Sequence, residues 1–311
     1  MRYIQSFASS GDVQTAIDNN LLGNPYVAYV EDGQHLDWNS LAPTPQVETR
    51  IKNTYRITEE DWGQMSGETE EYRKFSVSFY GPEFGVEKVE LEDGTEIEYE
   101  EGSGYNATAT GAGDYVVYIT VSGDTIGGTG VQDPYEGLFA ALSWLVSSEI
   151  PVSINTLEFG AYTGSAIESA VLPNHPMTFG VGCFGATQLS SINNGQNLIP
   201  AGSVVESWAF YDTQLDHITI GSGVTFPQTD GSPSQFMGPL TSVTFLDPVP
   251  PVIYPSIDSD VPGTFPWENI QEIHVPVGYE QAYVTAFNTY LDGEYTFTVT
   301  GTGEISTTQE G

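Results

Sequence analysis

The sequence predicts a mostly β chain of the α+β class in three parts: a small β-α-β-β module, a β-sandwich-like domain and an irregular repeat solenoid. Three observations predict it. Gly and Pro number 34 and 19 in 311 residues, enough turn formers to cut the chain into short strands. Apolar and polar residues alternate with strand period from about residue 47 to 125. An aromatic residue followed by aliphatic residues at fixed spacing recurs through the second half.

The first module covers residues 1–45. In FASSGDVQTAIDNNLL, Ser9 or Ser10 is a candidate N-cap, Asp12 falls in the first turn, and Val13, Ala16 and Ile17 share a face, so a helix is expected. YVAYV at residues 26–30 predicts a strand, Glu31-Asp32-Gly33 a hairpin turn, and QHLDWN the returning strand. A linker, LAPTPQ, follows. Residues 46–130 are expected to form the sandwich-like spacer. There KVELEDGTEIEY places an Asp93-Gly94 turn between alternating residues, a hairpin signal. Val89, Leu91 and Ile97 are expected on one face, with Glu90, Glu92, Glu96 and Glu98 toward water. The acidic run lacks the D-x-D-x-D-G spacing of a calcium loop, so no metal is assigned.

The solenoid is expected over residues 131–290, with a C-terminal strand and tail at 291–311. Its aromatic anchors are Phe139, Tyr162, Phe184, Phe210, Phe236 and Phe265, spaced 23, 22, 26, 26 and 29 residues apart. After the last four come Leu189, Leu215, Leu240 and Ile270, then Ile192, Ile218, Val243 and Ile273 three positions on. Two beyond these stand Ile220, Phe245 and Val275 in all but the first. Tyr162 leads to Ile167, Ala170 and Leu172, and Phe139 to Leu145 and Ile150. Six such units form a stack in which each rung buries its apolar residues on the next. The stretch GVGCFG, residues 180–185, fits a dinucleotide-binding fingerprint, with Glu206 downstream as a ribose partner. The repeat explains it better: Gly180 and Gly182 precede the anchor Phe184, and no strand–loop–helix unit surrounds them. No nucleotide cofactor is expected.

Charge narrows the partners. Lys and Arg total seven against 42 Asp and Glu, a formal net charge of −35, and the seven are Arg2, Arg50, Lys52, Arg56, Arg73, Lys74 and Lys88. Residues 89–311 contain no cation at all, so a nucleic-acid partner is excluded there for want of counterion release, and anionic lipid is disfavoured. They also contain no site for a protease that cuts after Lys or Arg, as suits a trypsin-rich setting. MRYIQSFASS has no apolar core segment and no run of 18 apolar residues occurs, so neither a secretion signal nor membrane insertion is expected.

The repeats resemble the BspA-like leucine-rich repeats. IPAGSVVESWAFYDTQLDHITIG, residues 199–221, follows their form "IP-x-x-V-x-x-I-x-x-x-A-F-x-x-x-x-L-x-x-I-x-I-P" nearly position for position. IHVPVGYEQAYVTAF, residues 273–287, resembles the unit that ends such arrays with a capping helix. The LEDGTEI hairpin and the GDYVVYITV strand resemble domains preceding these repeats in Bacteroidetes proteins. The rungs depart from the family in lacking most of its Cys and Asn turn residues, and two carry insertions. The N-terminal segment, through D-V-x-x-A-I, P-Y-V-A-Y-V, the E-D-G turn and Asp37-Trp38-Asn39, resembles openings of structural proteins of phages of gut Bacteroidetes, including the crAss-like group.

The resemblance implies a virion protein on the particle exterior, a head or tail fibre or capsid-attached appendage. The alternative is a bacterial surface adhesin. A homo-oligomer, a trimer, is expected, attached to other virion proteins through the cation-bearing N-terminal region. Arg50, Lys52 and Arg56 are the attachment candidates, and their replacement by Glu is expected to abolish incorporation.

No catalytic constellation emerges. His35, His175, His217 and His274 have no metal-ligand spacing, and His217 and His274 read as surface strand residues. Cys183, the single cysteine, reads as a small buried hydrophobe. Neither G-x-S-x-G nor H-E-x-x-H occurs. An enzyme is therefore not expected. The better candidates are aromatics taken as exposed near the turns of the last rungs, Trp208, Tyr211, Tyr254, Trp267 and Tyr279. Such rings stack on sugar while carboxylates accept hydroxyl hydrogen bonds, which suits a host surface glycan or protein. The competing reading is that they fill gaps between irregular rungs.

Overall fold

The computed structural model describes residues 4–7, 27–30, 35–36, 50–65, 73–78, 85–127, 137–227, 234–255, 263–291 and 295–309. It divides into two compact units, Met1–Glu48 and Thr49–Gly311. In the first, Ile4–Phe7 pairs in parallel with Val27–Val30, which pairs antiparallel with His35–Leu36. A parallel pair needs a crossover between its strands. The expected helix, the Glu31-Asp32-Gly33 turn and Asp37-Trp38-Asn39 lie outside the described residues.

The second unit is a solenoid-like β stack. One face is built from the parallel strands Leu145–Glu149, Ser169–Val171 and Ser191–Ile192. Another runs in parallel through Thr125–Ile126, Thr156–Leu157, Thr178–Phe179 and Val204–Val205. Farther along, Leu198–Ile199, His217–Ile220, Ser242–Phe245 and Glu272–His274 continue the parallel stacking. In His217–Ile220 the alternation is direct: Ile218 and Ile220 are buried while His217 and Thr219 are partly exposed. β-Branched residues pack well on such a half-buried, pleated face.

The predicted anchors form one continuous aromatic column. Phe139, Tyr162, Phe184, Phe210, Phe236 and Phe265 are all buried. Successive ring centroids lie 5.0, 5.0, 5.5, 5.3 and 5.0 Å apart. The last two pairs are nearly parallel, at 6° and 1°. Backbone hydrogen bonds lock the same register: the Tyr162, Phe184 and Phe210 amides donate to the carbonyls of Cys183, Ala209 and Gln235 at 2.7, 2.9 and 2.9 Å. Tyr162 is the one anchor with a hydroxyl, and that group sits 2.9 Å from the buried Ser148 hydroxyl.

A stack of this kind leaves an open rung at each end, and both ends here are closed by antiparallel strands. Arg50–Ile57 pairs antiparallel with Leu145–Glu149 on one side and with Gly113–Val121 on the other, and Val86–Leu91 extends the sheet. The expected boundary at residue 130 is therefore corrected. The strands assigned to a separate spacer belong to the solenoid's own sheet and cap its first rung, because an edge strand satisfies its backbone groups there. A small second sheet, Lys74–Ser78, Tyr99–Glu100 and Gly104–Thr108, adds Phe75, Val77 and Tyr105 to the core.

The Asp93-Gly94 hairpin forms as the sequence predicts. Gly94 adopts φ +84°, the Leu91 amide donates to the Thr95 carbonyl at 2.8 Å, and Val89 and Ile97 are buried. Glu90 does not point freely to water: its side chain is 14% exposed and lies 2.8 Å from the Arg50 guanidinium.

At the other end the helix Glu280–Tyr290 buries Tyr283, Val284 and Phe287, with Phe287 against Phe245, Trp267 and Phe297. The segment expected as a strand and tail is a hairpin instead. Tyr295–Gly301 pairs with Glu304–Gln309, which pairs with Glu272–His274 and closes the last rung. Its outer edge is partly covered by Asn288, whose carboxamide accepts the Phe297 N–H at 2.8 Å and donates to the Phe297 carbonyl at 3.3 Å.

Candidate functional site

The stacked turns decide where each aromatic candidate sits. At several anchors the backbone turns sharply, with left-handed residues two positions before or after. Before Tyr162 and Phe184 these are Gly160 at φ +65° and Gly182 at +63°. After the first four anchors they are Ala141, Gly164, Ala186 and Asp212 at +57°, +68°, +54° and +52°. Glycine occupies the earlier position at four of the six anchors, as Gly137, Gly160, Gly182 and Gly263, and Ser234 at a fifth.

At the remaining anchor, Phe210, the position is held by Trp208 at φ +63°. A left-handed conformation costs an L-residue about 1–2 kcal/mol, and a bulky one is a genuine outlier. The turn itself needs only glycine, so its geometry does not ask for tryptophan. Tyr211 is equally particular to this rung: the residue after the anchor is Ala140, Thr163, Gly185, Met237 or Pro266 elsewhere. The two rings meet edge to face, with centroids 4.7 Å apart and planes at 73°. Both side chains are partly exposed. The turn beneath them is anchored, since the Tyr211 amide donates to the Trp208 carbonyl at 3.0 Å and the Tyr211 carbonyl accepts the Ala186 amide at 2.7 Å. Asp212, next in the turn, is exposed.

The other aromatic candidates separate from this pair. Tyr254 lines a cleft of about 350 Å³ with Phe226, Phe245 and Val252. The one carboxylate there, Asp247, is committed to its own turns, accepting the Gly223 and Val249 amides at 2.6 and 2.8 Å. Tyr279 is 46% exposed just before the capping helix. Trp267 is a correction: it is 1% exposed and wedged among Phe265, Phe287 and Phe297, so it joins the last anchor to the C-terminal cap and cannot face a ligand.

Arg50, Lys52 and Arg56 lie together on the first capping strand, and each is paired within the chain. Arg50 reaches Glu90 and lies 4.3 Å over the Tyr118 ring, and Lys52 meets Glu149 at 2.5 Å. Arg56 joins Asp114 at 2.9 Å and Glu168 at 3.5 Å. Lys74 pairs with Glu100 and Lys88 with Glu90, while Arg73 lies over Trp62. The Lys88 hydrogen bond holds the Glu90 carboxyl below its usual range. Arg50, Lys52 and Arg56 thus stitch the capping strand to its acidic neighbours. Reversing Arg50, Lys52 and Arg56 to Glu would therefore attack the cap as well as any attachment surface.

The remaining candidates offer little chemistry. Cys183 is fully buried at the position that Ala161 and Ala209 hold in adjacent rungs, and burial pushes its thiol up, away from the nucleophilic thiolate. His217 is a partly exposed strand residue, its ring nitrogens 2.6 Å from the Asp216 carboxylate and 3.1 Å from the Gly195 carbonyl. Gly180 of the GVGCFG stretch packs where a Cβ would lie 2.8 Å from the Leu157 carbonyl of the previous rung. Among the described residues no group of three or more His, Cys, Asp or Glu is placed to hold a metal, and no helix is long and apolar enough to cross a membrane. Comparison with protein-family models, with curated proteins and with solved structures finds no match to this chain.

Proposed function

We propose that this chain is a phage virion structural protein, a head or tail fibre or capsid-attached appendage on the particle exterior, with a leucine-rich repeat array of the BspA-like type for adhesion. The observation that carries the reading is the division of labour along the chain. A small separate unit, Met1–Glu48, carries the segment that resembles phage structural proteins, and the following residues form one capped stack of rungs. In this role the first unit attaches the protein to other virion proteins, and copies associate as a homotrimer. The stack faces outward with no Lys or Arg after Lys88, which suits a surface exposed to gut proteases. The Trp208–Tyr211 turn is the adhesion surface. Nothing in this role calls for catalysis, a cofactor or nucleic acid. The same array displayed on a bacterial envelope is the alternative.

Deletion of Met1–Glu48 tests the attachment role more cleanly than charge reversal. The second unit contains its own core and both caps, so the shortened chain is expected to melt at the temperature of the intact one, followed by circular dichroism. It is also expected to be missing from purified particles. Incorporation at the normal copy number would remove the attachment role from the first unit.

A further inference from the structure

The Trp208–Tyr211 turn has a shape and an electrostatic setting that specify a ligand class. We infer that it binds an organic ammonium group, a compact cation of the choline type, rather than an anionic or neutral sugar. The inference rests on the reading of this turn as ligand-facing.

Two ring planes at 73° with centroids 4.7 Å apart form a corner, not a flat platform. A pyranose stacks its apolar face flat on one ring. A corner instead presents two ring faces to one small group, and both faces carry the negative side of the aromatic quadrupole. A cation within about 6 Å of such faces is attracted, more so when its hydration is weak, as for a methylated ammonium. The surroundings act in the same direction. Asp212 is exposed one residue on, and no Lys or Arg occurs anywhere in residues 89–311. An anionic sugar would find no counter-charge in this region, whereas a cation is drawn by a net charge of −35. The backbone supplies a further argument. Trp208 keeps a left-handed conformation that the two preceding turns assign to glycine, at Gly160 and Gly182, and residues held in such conformations concentrate at ligand clamps.

The test uses the full chain and two small probes that differ in charge alone: choline, and its neutral carbon isostere 3,3-dimethylbutan-1-ol. Indole fluorescence is expected to change saturably with choline, with at least tenfold weaker response to the isostere and weakening at high salt. Trp208→Gly is expected to lower choline affinity at least tenfold while leaving the melting temperature unchanged or raised, because Gly160 and Gly182 hold the same conformation two rungs and one rung earlier. Tyr211→Ala, with Ala140 as its precedent, is expected to weaken choline binding too. Equal responses to both probes would overturn the inference, as would choline binding that survives Trp208→Gly. Saturable binding of methyl β-glucoside with none of choline would also overturn it while leaving the turn as the adhesion surface. If neither choline nor the glucoside binds, and Trp208→Gly particles adsorb to cells normally, both the inference and the ligand-facing reading fall.

Discussion

Phe210→Ala is expected to destabilise the second unit by about 3–5 kcal/mol, the range for deleting a buried aromatic ring. The ring is fully buried at the middle of the column, 5.5 Å from Phe184, 5.3 Å from Phe236 and 5.4 Å from Phe179. The substitution removes apolar burial and three ring contacts at once. The gap cannot close easily, because backbone hydrogen bonds at the anchors fix the rung spacing above and below. In a linear array each rung is held mainly by its neighbours, so the loss should also uncouple the two halves. Thermal unfolding should then split or broaden, with the half that carries the Arg50–Ile57 cap and the half that carries the Glu280–Tyr290 helix melting separately. A single sharp transition with an unchanged midpoint would mean that the column does not hold the stack together.

Gly180→Ala is expected to cost about 1–3 kcal/mol through overpacking, despite adding one methyl group. Its Cβ would stand 2.8 Å from the Leu157 carbonyl oxygen and 3.0 Å from the Glu158 carbonyl carbon. Both are backbone atoms of the preceding rung and cannot swing aside as a side chain can. The Gly180 amide already donates to the Leu157 carbonyl at 2.7 Å, so the strain falls on the contact that joins two rungs. Differential scanning calorimetry of the two proteins reads the effect. A wild-type melting temperature would show that the rungs can separate locally, against so close a backbone approach.

The contrast between these sites shows what the sequence made legible. The anchor column could be read because spacing and residue type both recur, and burial then follows from stacking. Gly180 could be read only negatively, as a false nucleotide fingerprint; its positive reason, a carbonyl one rung away, is a three-dimensional distance. Trp267 misled because it follows an anchor by two residues in a turn-rich segment. It is buried by the final hairpin, whose pairing with Glu272–His274 leaves no periodic trace before residue 291. The strand Arg50–Ile57 was legible as a strand but not as the solenoid's cap, since nothing local in it encodes its long-range pairing with Leu145–Glu149. The special status of Trp208 is recoverable from the sequence, because aligning the anchors puts it where four of the other five carry glycine. Residue type alone does not set Trp208 apart from the other aromatic candidates; the alignment of the anchors does.

In the proposed role the chain is displayed on a virus particle and presents its solenoid outward. An antibody raised against residues 135–290, detected with gold by electron microscopy on intact phage particles and on bacterial cells, tests it most directly. Gold is expected on the particles, at capsid or tail, without prior disruption. Gold confined to the bacterial envelope would contradict it and would make the chain an adhesin of the cell.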